Sequence, residues 1–335
     1  MAAGDCANHP AFAIAPMMDW TDRHCRFLHR LLTRRALLYT EMVTADAVIH
    51  GNRDSLLGLG EVSSPVAVQL GGSDPGKLAE AARIAESFGY DEINLNVGCP
   101  SDRVQSGTFG ACLMLQPVLV GECVAAMHKA VCLPVTVKCR LGVDDQDTGP
   151  ALDALANAVW QSGADGLWVH ARKAWLDGLS PKQNRDVPPL DYGRVRTLKR
   201  ANPNRFVGLN GGLQNLEQAE AEMAKDGVTL DGVMLGRAAY HDPGLLRGVD
   251  RRFYGDARAP IGWDELIEEM TDYTARHVAA GGRVHHVTRH MTGLFTGLPG
   301  ARRWRRTLAE EGVRHDAEPQ IIAMAYAGIG QKEAA

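Results

Sequence analysis

The sequence predicts an α/β protein: a (β/α)8 TIM barrel followed by a C-terminal helical bundle. Short runs of β-branched and other apolar residues recur eight times, and each run is followed by a segment with helical periodicity. The eight units together take about 240 residues, which is the usual size of a single TIM barrel. After them the strand pattern stops, while helical patterns continue to the end of the chain.

The eight runs are predicted to be parallel strands because each one ends in polar or glycine residues and leads into a helical segment. In chain order, the runs span residues 12–15, 37–40, 66–69, 93–96, 135–138, 167–170, 206–210 and 233–235.

The helices between the strands carry recognisable start and stop residues. Asp74 and Pro75 suit the N-cap and the first helical position, and Gly89 ends the segment that they begin. Asn215 is followed three residues later by Gln218, which resembles a capping box at the start of the helix after the seventh strand.

The second part of the chain is predicted to be all-helical. Apolar residues recur there at helical spacing, in segments separated by Gly282, by the turn at residues 297–300 and by Gly312. We therefore predict two domains, a barrel domain of residues 1–245 and a helical domain of residues 246–335.

Charge is unevenly distributed along the chain. The 335 residues carry a net charge of −4, but residues 246–306 contain 11 arginines, no lysine and only seven acidic residues. The body of the protein is therefore acidic and its helical end is basic. This segregation suggests a polyanionic partner that is held at the helical end.

Composition also argues against several classes of protein. The seven cysteines show no C-x-x-C spacing, which favours neither a disulfide framework nor a zinc site. The N-terminus lacks a secretory pattern, and no apolar run is long enough to cross a bilayer. We expect a cytoplasmic monomer that binds neither membrane nor metal.

Polar residues close the predicted strands. In a TIM barrel the active site lies at the carboxyl ends of the strands. Packing of the barrel core explains the apolar residues within the runs, but it does not require polar residues at their ends, so this set favours a ligand. The residues at these ends are Pro16, Met17, Glu41, Gln69, Asn96, Lys138, His170, Asn210 and Arg237.

Two glycine-bearing loops follow the last two strands, Asn-Gly-Gly at residues 210–212 and Gly-Arg at residues 236–237. Glycine allows backbone N–H groups to approach phosphate oxygens, and a short helix that begins near Ala238 would add a favourable dipole. These loops are candidates for a phosphate site, although Asn-Gly-Gly is also a common tight turn.

Two further strand-end residues have alternative interpretations. Lys138 beside a flavin ring would stabilise the negative charge of the reduced form, whereas a salt bridge with Glu41 would make it structural. His170 suits either a ligand contact or the end of a strand with no functional role.

Cys99 lies in the loop after the fourth strand, in the sequence Asn-Val-Gly-Cys-Pro-Ser. A thiol at this position can act as a nucleophile, a metal ligand or a general acid. Metal binding is disfavoured because no Cys or His accompanies it at ligand spacing. Cys112 lies in an apolar stretch and is predicted to be structural.

Several ordered motifs resemble those of the tRNA-dihydrouridine synthases, and the stretch His-Ala-Arg-Lys-Ala-Trp resembles the A-type subfamily. The resemblance extends over nearly the whole chain, including the arginine-rich segment near its end. The motifs occupy residues 15–22, 94–101, 107–114, 170–175, 179–182 and 299–306.

This resemblance implies an FMN cofactor at the barrel mouth and NADPH as the electron donor. In the family, hydride passes from flavin N5 to C6 of uracil, and the cysteine that matches Cys99 protonates C5. Asn96 is expected to contact the base. The residues that the resemblance assigns to FMN are Pro16, Met17, Met18, Gln69, Lys138, His170, Asn210, Gly211, Gly212, Gly236 and Arg237.

The implied substrate of the A-type subfamily is uridine 20 and 20a in the D-loop of tRNA. A base within folded tRNA must leave its stack to reach a flavin, so the protein has to grip the RNA elsewhere. Arg302 and Arg305 are three apart and share a helix face, and Lys182 and Arg185 follow the sixth strand. We expect these four side chains to contact tRNA phosphates.

Two other functions fit part of the sequence. A small-molecule flavin barrel, such as a dihydroorotate dehydrogenase-like or ene-reductase-like enzyme, would share the phosphate loops and the lysine of the fifth strand, but it would not need the arginine-rich helical end. A non-enzymatic RNA-binding module on a decayed barrel would have lost its mouth residues, which are intact here.

Overall fold

The computed structural model describes residues 10–101 and 109–330. Eight parallel strands form a closed barrel in the order β1-β2-β3-β4-β5-β6-β7-β10, and β10 pairs with β1. A small antiparallel hairpin, β8–β9, precedes the last barrel strand. The strands are β1 Phe12–Ile14, β2 Leu37–Thr44, β3 Val66–Gly71, β4 Glu92–Val97, β5 Val135–Arg140, β6 Gly166–His170, β7 Phe206–Asn210, β8 Ala224–Lys225, β9 Val228–Thr229 and β10 Gly232–Leu235.

All eight predicted barrel strands are confirmed, so the TIM barrel is confirmed as well. The largest difference is β2, which was predicted to end at Thr40 and instead continues to Thr44, with a shift in its register against β3 between Tyr39 and Met42. The β8–β9 hairpin was not predicted, because two-residue strands leave no periodic pattern to detect.

Helices alternate with the barrel strands, and helices alone follow β10 in the described part of the chain. They are α1 Arg23–Leu32, α2 Ala45–His50, α3 Arg53–Leu57, α4 Pro75–Ser87, α5 Pro117–Ala130, α6 Thr148–Gln161, α7 Tyr192–Ala201, α8 Leu216–Met223, α9 Arg237–His241, α10 Val249–Tyr254, α11 Trp263–Ala279, α12 Val284–Thr288, α13 Ala301–Glu310 and α14 Ile321–Tyr326.

The predicted helix caps are present. The Asp74 carboxylate accepts the Lys77 N–H at 2.9 Å, which satisfies one of the free donors at the start of α4. The Asn215 side chain accepts the Gln218 N–H at 2.8 Å. The reciprocal bond differs from a capping box, because the Gln218 side chain accepts the N–H of Gln214 rather than that of Asn215.

The barrel has two hydrophobic cores, because alternate side chains of a strand point to opposite faces of the sheet. The larger core lies between the strands and the surrounding helices. The smaller core fills the inside of the barrel and consists of Ala13, Ala15, Leu37, Tyr39, Ala67, Trp168, Phe206 and Met234.

Trp168 is the largest side chain inside the barrel, and it is fully buried. It fits there because β7 carries glycine opposite it: a Cβ atom on Gly208 would lie 2.1 Å from Cε3 of the indole. The glycine is therefore required by packing rather than by a turn.

Gly208→Ala is expected to lower the free energy of unfolding by about 1–3 kcal/mol, because the added methyl group overpacks the barrel core. Thermal or denaturant unfolding measures the change. Gly262→Ala is the control, since a Cβ atom there meets no other atom within 4 Å. Equal stability of the two variants would contradict the packing argument.

The C-terminal helices pack against both ends of the barrel. At the amino end of β1, the Tyr254 hydroxyl accepts the Phe12 N–H at 3.1 Å. At its carboxyl end, Asp22 contacts Arg289 at 2.5 Å and His290 at 3.1 Å. The predicted start of the helical domain, residue 246, lies between α9 and α10. That residues 246–335 form an independent domain stays a prediction.

No helix in the described ranges is both long and apolar enough to span a membrane.

Candidate active site at the mouth of the barrel

The carboxyl ends of the strands bring the predicted polar residues together. Lys138 on β5 donates from Nζ to Oδ1 of Asn210 on β7 at 3.0 Å. Asn210 in turn donates from Nδ2 to the Met234 carbonyl of β10 at 2.8 Å. These bonds link three strands that are far apart in sequence, and they hold the Lys138 ammonium group at the mouth.

Lys138 does not form the salt bridge with Glu41 that the sequence left open. The Glu41 carboxylate instead accepts the backbone N–H of Asp19 at 2.5 Å. No acidic side chain of the described ranges lies within ion-pair distance of Lys138. Burial lowers the pKa of Lys138 to about 8, and the nearby Arg140 contributes to the shift. The lysine is thus a desolvated cation without a protein anion.

Cys99 lies two residues beyond the end of β4 and is partly exposed. The Asn96 side chain accepts the Gly98 N–H at 3.1 Å and the Cys99 N–H at 3.0 Å, so the strand itself holds the loop. The thiol contacts the Ser101 hydroxyl at 3.5 Å. Among the described residues there is no group of His, Cys, Asp or Glu that could hold a metal ion.

Arg140 is a site residue that the sequence analysis missed. Its Nε donates to the Gly98 carbonyl at 2.9 Å, and its Nη1 donates to the carbonyls of Lys173 and Asn184 at 3.0 and 2.8 Å. It therefore ties the Cys99 loop to the long loop after β6. Strand alternation could have identified it, because residues 136, 138 and 140 share the inward face of β5.

Several arginine and lysine side chains lie close to His170 on one side of the mouth. His170 ends β6, and burial holds its pKa well below the ordinary value, with Arg140 and Lys138 adding to the effect. The imidazole is therefore neutral. The buried Nε atoms of Arg172 and Arg185 have no hydrogen-bond acceptor in the part of the chain that the structure describes. This side of the mouth is suited to an anionic ligand.

Arg237, in contrast, is paired with an acidic side chain at the mouth. Its guanidinium contacts the Asp186 carboxylate at 2.8 Å and the Arg185 carbonyl at 3.4 Å. Arg237 begins α9, one residue before the predicted start of that helix.

The Asn-Gly-Gly loop is a close-packed cradle in which side chains would not fit. Gly211 and Gly212 both have positive φ angles, of 110° and 68°. A Cβ atom at Gly211 would lie 2.6 Å from His170, and one at Gly212 would lie 2.5 Å from Leu190. At Gly236 the corresponding Cβ atom would lie 3.5 Å from the Met17 sulfur, which is an ordinary contact. Both glycines of the loop after β7 are therefore required.

The loop after β1 forms another part of the rim. Pro16 and Met17 are partly buried, and the Met17 N–H donates to the Thr21 hydroxyl at 2.9 Å. Met18 is 56% exposed. Together with Glu41 and Phe109, Met18 lines a cleft that adjoins the mouth. The Met18 side chain is therefore accessible from this cleft.

The four residues predicted to contact RNA lie on two surfaces. Arg302 and Arg305 are exposed on α13, and neither forms an ion pair with any described residue. Trp304 between them is buried and donates to the Met291 carbonyl at 2.9 Å, so it belongs to the helical core. Lys182 is exposed and Arg185 is partly exposed, in the long loop after β6.

Of the motifs singled out in the sequence, residues 107 and 108 lie outside the described residues. Cys112, which follows them, donates its S–H to the Phe109 carbonyl at 3.0 Å. This contact is consistent with the predicted structural role.

The chain is similar to known proteins over nearly its whole length. The family model described as dihydrouridine synthase matches residues 13–326. The tRNA-dihydrouridine(20/20a) synthase of Shewanella oneidensis is 51% identical over 318 residues, which cover 95% of this chain and 93% of that protein. The proteins of the same name from Escherichia coli strain K12 and Vibrio cholerae are 51% and 50% identical over 322 residues, with 92% and 97% of their lengths covered and 96% of this chain in each case.

Proposed function

The chain belongs to the dihydrouridine synthase family, and from this premise we propose that it reduces uridines 20 and 20a of tRNA to 5,6-dihydrouridine, with FMN as cofactor and NADPH as electron donor. The protein is an oxidoreductase. The observation that carries the proposal is the Cys99 loop, held at the mouth of the barrel beside the desolvated Lys138. Family membership decides against both the small-molecule flavin barrel and the non-enzymatic module.

The residues at the mouth fit FMN. The phosphate of the cofactor needs cations and close backbone approach. The Asn-Gly-Gly cradle packs against His170, and the charges of Arg172 and Arg237 are close enough to lower the pKa of that histidine. The buried Nε atom of Arg172 has no acceptor among the described residues, which supports an anion at this position. Lys138 would face the flavin ring, where its charge would stabilise the reduced form.

When bound, FMN supplies the hydride that adds to C6 of the uracil ring. The addition leaves enolate character on the C5 side of the ring, which must be protonated to complete the reduction. We assign this step to Cys99, whose S–H bond breaks as a C–H bond forms at C5. Its thiolate regains a proton from solvent, to which the side chain is partly exposed. Asn96 contacts the base from the same strand.

Production of dihydrouridine is the direct test. Purified protein is expected to be yellow with bound FMN, and with NADPH it should convert uridines 20 and 20a in unmodified tRNA, as mapped by mass spectrometry of tRNA fragments. Protein that cannot be loaded with FMN would overturn the cofactor assignment. If only uridines at other tRNA positions were converted, the assignment of positions 20 and 20a would be overturned.

We further propose that residues 1–245 carry the chemistry and residues 246–335 recognise tRNA, in a monomer that acts in the cytoplasm. The supporting observation is the exposed pair Arg302 and Arg305 on α13, which no described acid neutralises. Lys182 and Arg185 are assigned to the same RNA on the barrel side.

The double variant Arg302→Ala/Arg305→Ala is expected to weaken tRNA binding and to lower the slope of log affinity against log salt by about 1–2, because each arginine releases about one counterion on binding phosphate. The loss should therefore be largest at low salt. FMN content should stay unchanged. Arg83→Ala, on the exposed side of α4, is the control; an equal loss in that variant would contradict a localised tRNA contact.

A further inference from the structure

A continuous chain of hydrogen bonds runs through the inside of the barrel. It leads from the floor, where the amino ends of the strands lie, to the Cys99 loop. It follows the inward faces of three neighbouring strands, β3, β4 and β5. Each side-chain link measures between 2.6 and 2.8 Å. From the floor to the mouth, its members are Glu92, Thr136, Asn94, Gln69 and Asn96.

The donor and acceptor atoms of this chain can be identified from its end at the mouth. Backbone N–H groups can only donate, so the Asn96 atom that faces Gly98 and Cys99 is the oxygen. Its nitrogen then donates to Oε1 of Gln69. By the same logic, the Gln69 nitrogen donates to Oδ1 of Asn94.

The direction continues to the floor. The Asn94 nitrogen donates to the Thr136 hydroxyl oxygen, and the single hydroxyl hydrogen is left for Oε1 of Glu92. Glu92 is the terminal acceptor, and it also accepts the Tyr39 hydroxyl at 2.5 Å. Burial raises the pKa of Glu92 to about 7. A proton on Oε2 leaves Oε1 free to accept, so the direction holds in both ionisation states.

Because the chain is buried, none of its amides can reverse its orientation. Asn94 is fully buried, and Thr136 and Gln69 are each 1% exposed. Reversing one amide would place two donors or two acceptors against each other where no water can intervene, which costs more than the loss of an ordinary hydrogen bond. The orientation set at Glu92 is therefore transmitted to the mouth.

We propose that Glu92, Thr136 and Asn94 are positioning residues that fix the orientation of the Gln69 and Asn96 amides and, through Asn96, the position of the Cys99 loop. The inference rests on the proposed function for the role of Cys99. It has a second consequence: the amide nitrogens of Gln69 and Asn96 each keep one hydrogen that no described residue accepts. Ligand atoms that meet these two amide nitrogens are thus acceptors, such as carbonyl oxygens.

Thr136→Val tests the chain, because valine has the shape of threonine but cannot accept from Asn94 or donate to Glu92. Tyr39→Phe is the matched control: it removes an equally buried hydrogen bond to the same Glu92 oxygen, beside Thr136, but leaves the four links from Glu92 to Asn96 in place. Thr136→Ser is the rescue variant. If Thr136→Val does not fold, Thr136→Cys replaces it, since sulfur is a weak acceptor of similar shape.

Two quantities are measured on the FMN-loaded proteins. Hydrogen exchange of peptide 95–101 reports the protection of the Gly98 and Cys99 N–H groups. Reoxidation of the NADPH-reduced flavin on addition of tRNA, followed by its visible absorbance, reports reduction of the base. Thr136→Val should speed the exchange about five- to tenfold and slow the reoxidation on the order of tenfold. Tyr39→Phe should change neither, and Thr136→Ser should restore both.

The positioning role is overturned if Thr136→Val leaves exchange and reoxidation as in the unaltered protein, or if Tyr39→Phe changes both by the same amount. A failure of the proposed function is a separate result. If the unaltered protein forms no dihydrouridine while Thr136→Val still speeds exchange at residues 98 and 99, the positioning role stands and the reaction assigned to Cys99 falls.

Discussion

Cys99→Ala is expected to lower the rate of dihydrouridine formation by about 10²- to 10⁴-fold, which is the usual contribution of a positioned general acid. The backbone N–H bonds to Asn96 do not involve the thiol, so the loop should keep its position. FMN content and the rate of flavin reduction by NADPH should be unchanged. Rapid mixing of the reduced variant with tRNA separates the two half-reactions.

The control for this variant is Cys132→Ala, which removes an exposed thiol just before the amino end of β5, at the end of the barrel opposite the mouth. It should reduce uridine at the normal rate. A normal dihydrouridine yield from Cys99→Ala would contradict the acid role, and equal slowing of flavin reduction would indicate that Cys99 acts on the cofactor instead of the base.

Lys138→Met is expected to slow flavin reduction by NADPH about 100-fold, the usual effect of removing one preorganised electrostatic group. Methionine keeps much of the volume but removes the charge and leaves Oδ1 of Asn210 without its donor. FMN should also be lost more readily on dialysis. Stopped-flow absorbance measures the reduction rate, and fluorescence of released flavin measures the affinity.

Lys129→Met is the matched control, because Lys129 is exposed on the outer face of α5. It removes the same charge from the protein without touching the mouth. If the two variants reduce flavin at the same rate, Lys138 does not stabilise the reduced cofactor. If Lys138→Met fails to fold, Lys138→Arg retains the charge and should reduce flavin faster than any folded neutral variant.

The strands and their polar ends could be predicted because both depend on local sequence. A barrel strand alternates between two buried faces and ends where polar residues begin, which identified Gln69, Asn96 and His170 without any knowledge of their neighbours. The glycines at 211 and 212 were also recognised from local sequence, as a loop that follows the seventh strand. Their packing against His170 and Leu190 was not, because these contacts cross from one loop to another.

The choice between alternatives needed the closed barrel. From sequence, Lys138 could pair with Glu41 or remain free for a ligand. The barrel places Asn210 on β7 within hydrogen-bond distance of Lys138 on β5, while Glu41 accepts from the Asp19 backbone. Similarly, Trp304 stands among four arginines in the sequence, and only the packing of the helices shows that it is buried.

The sequence by itself determined the fold class, the order of the strands, the residues at their ends and the basic character of the helical end. These features follow from periodicity and composition, which act along the chain. Only the tertiary structure decided which side chains meet: Arg140 against the Cys99 loop, Trp168 against Gly208, and the chain from Glu92 to Asn96. Hydrogen bonds of less than 3 Å depend on the register between strands distant in sequence, and closure of the barrel sets that register.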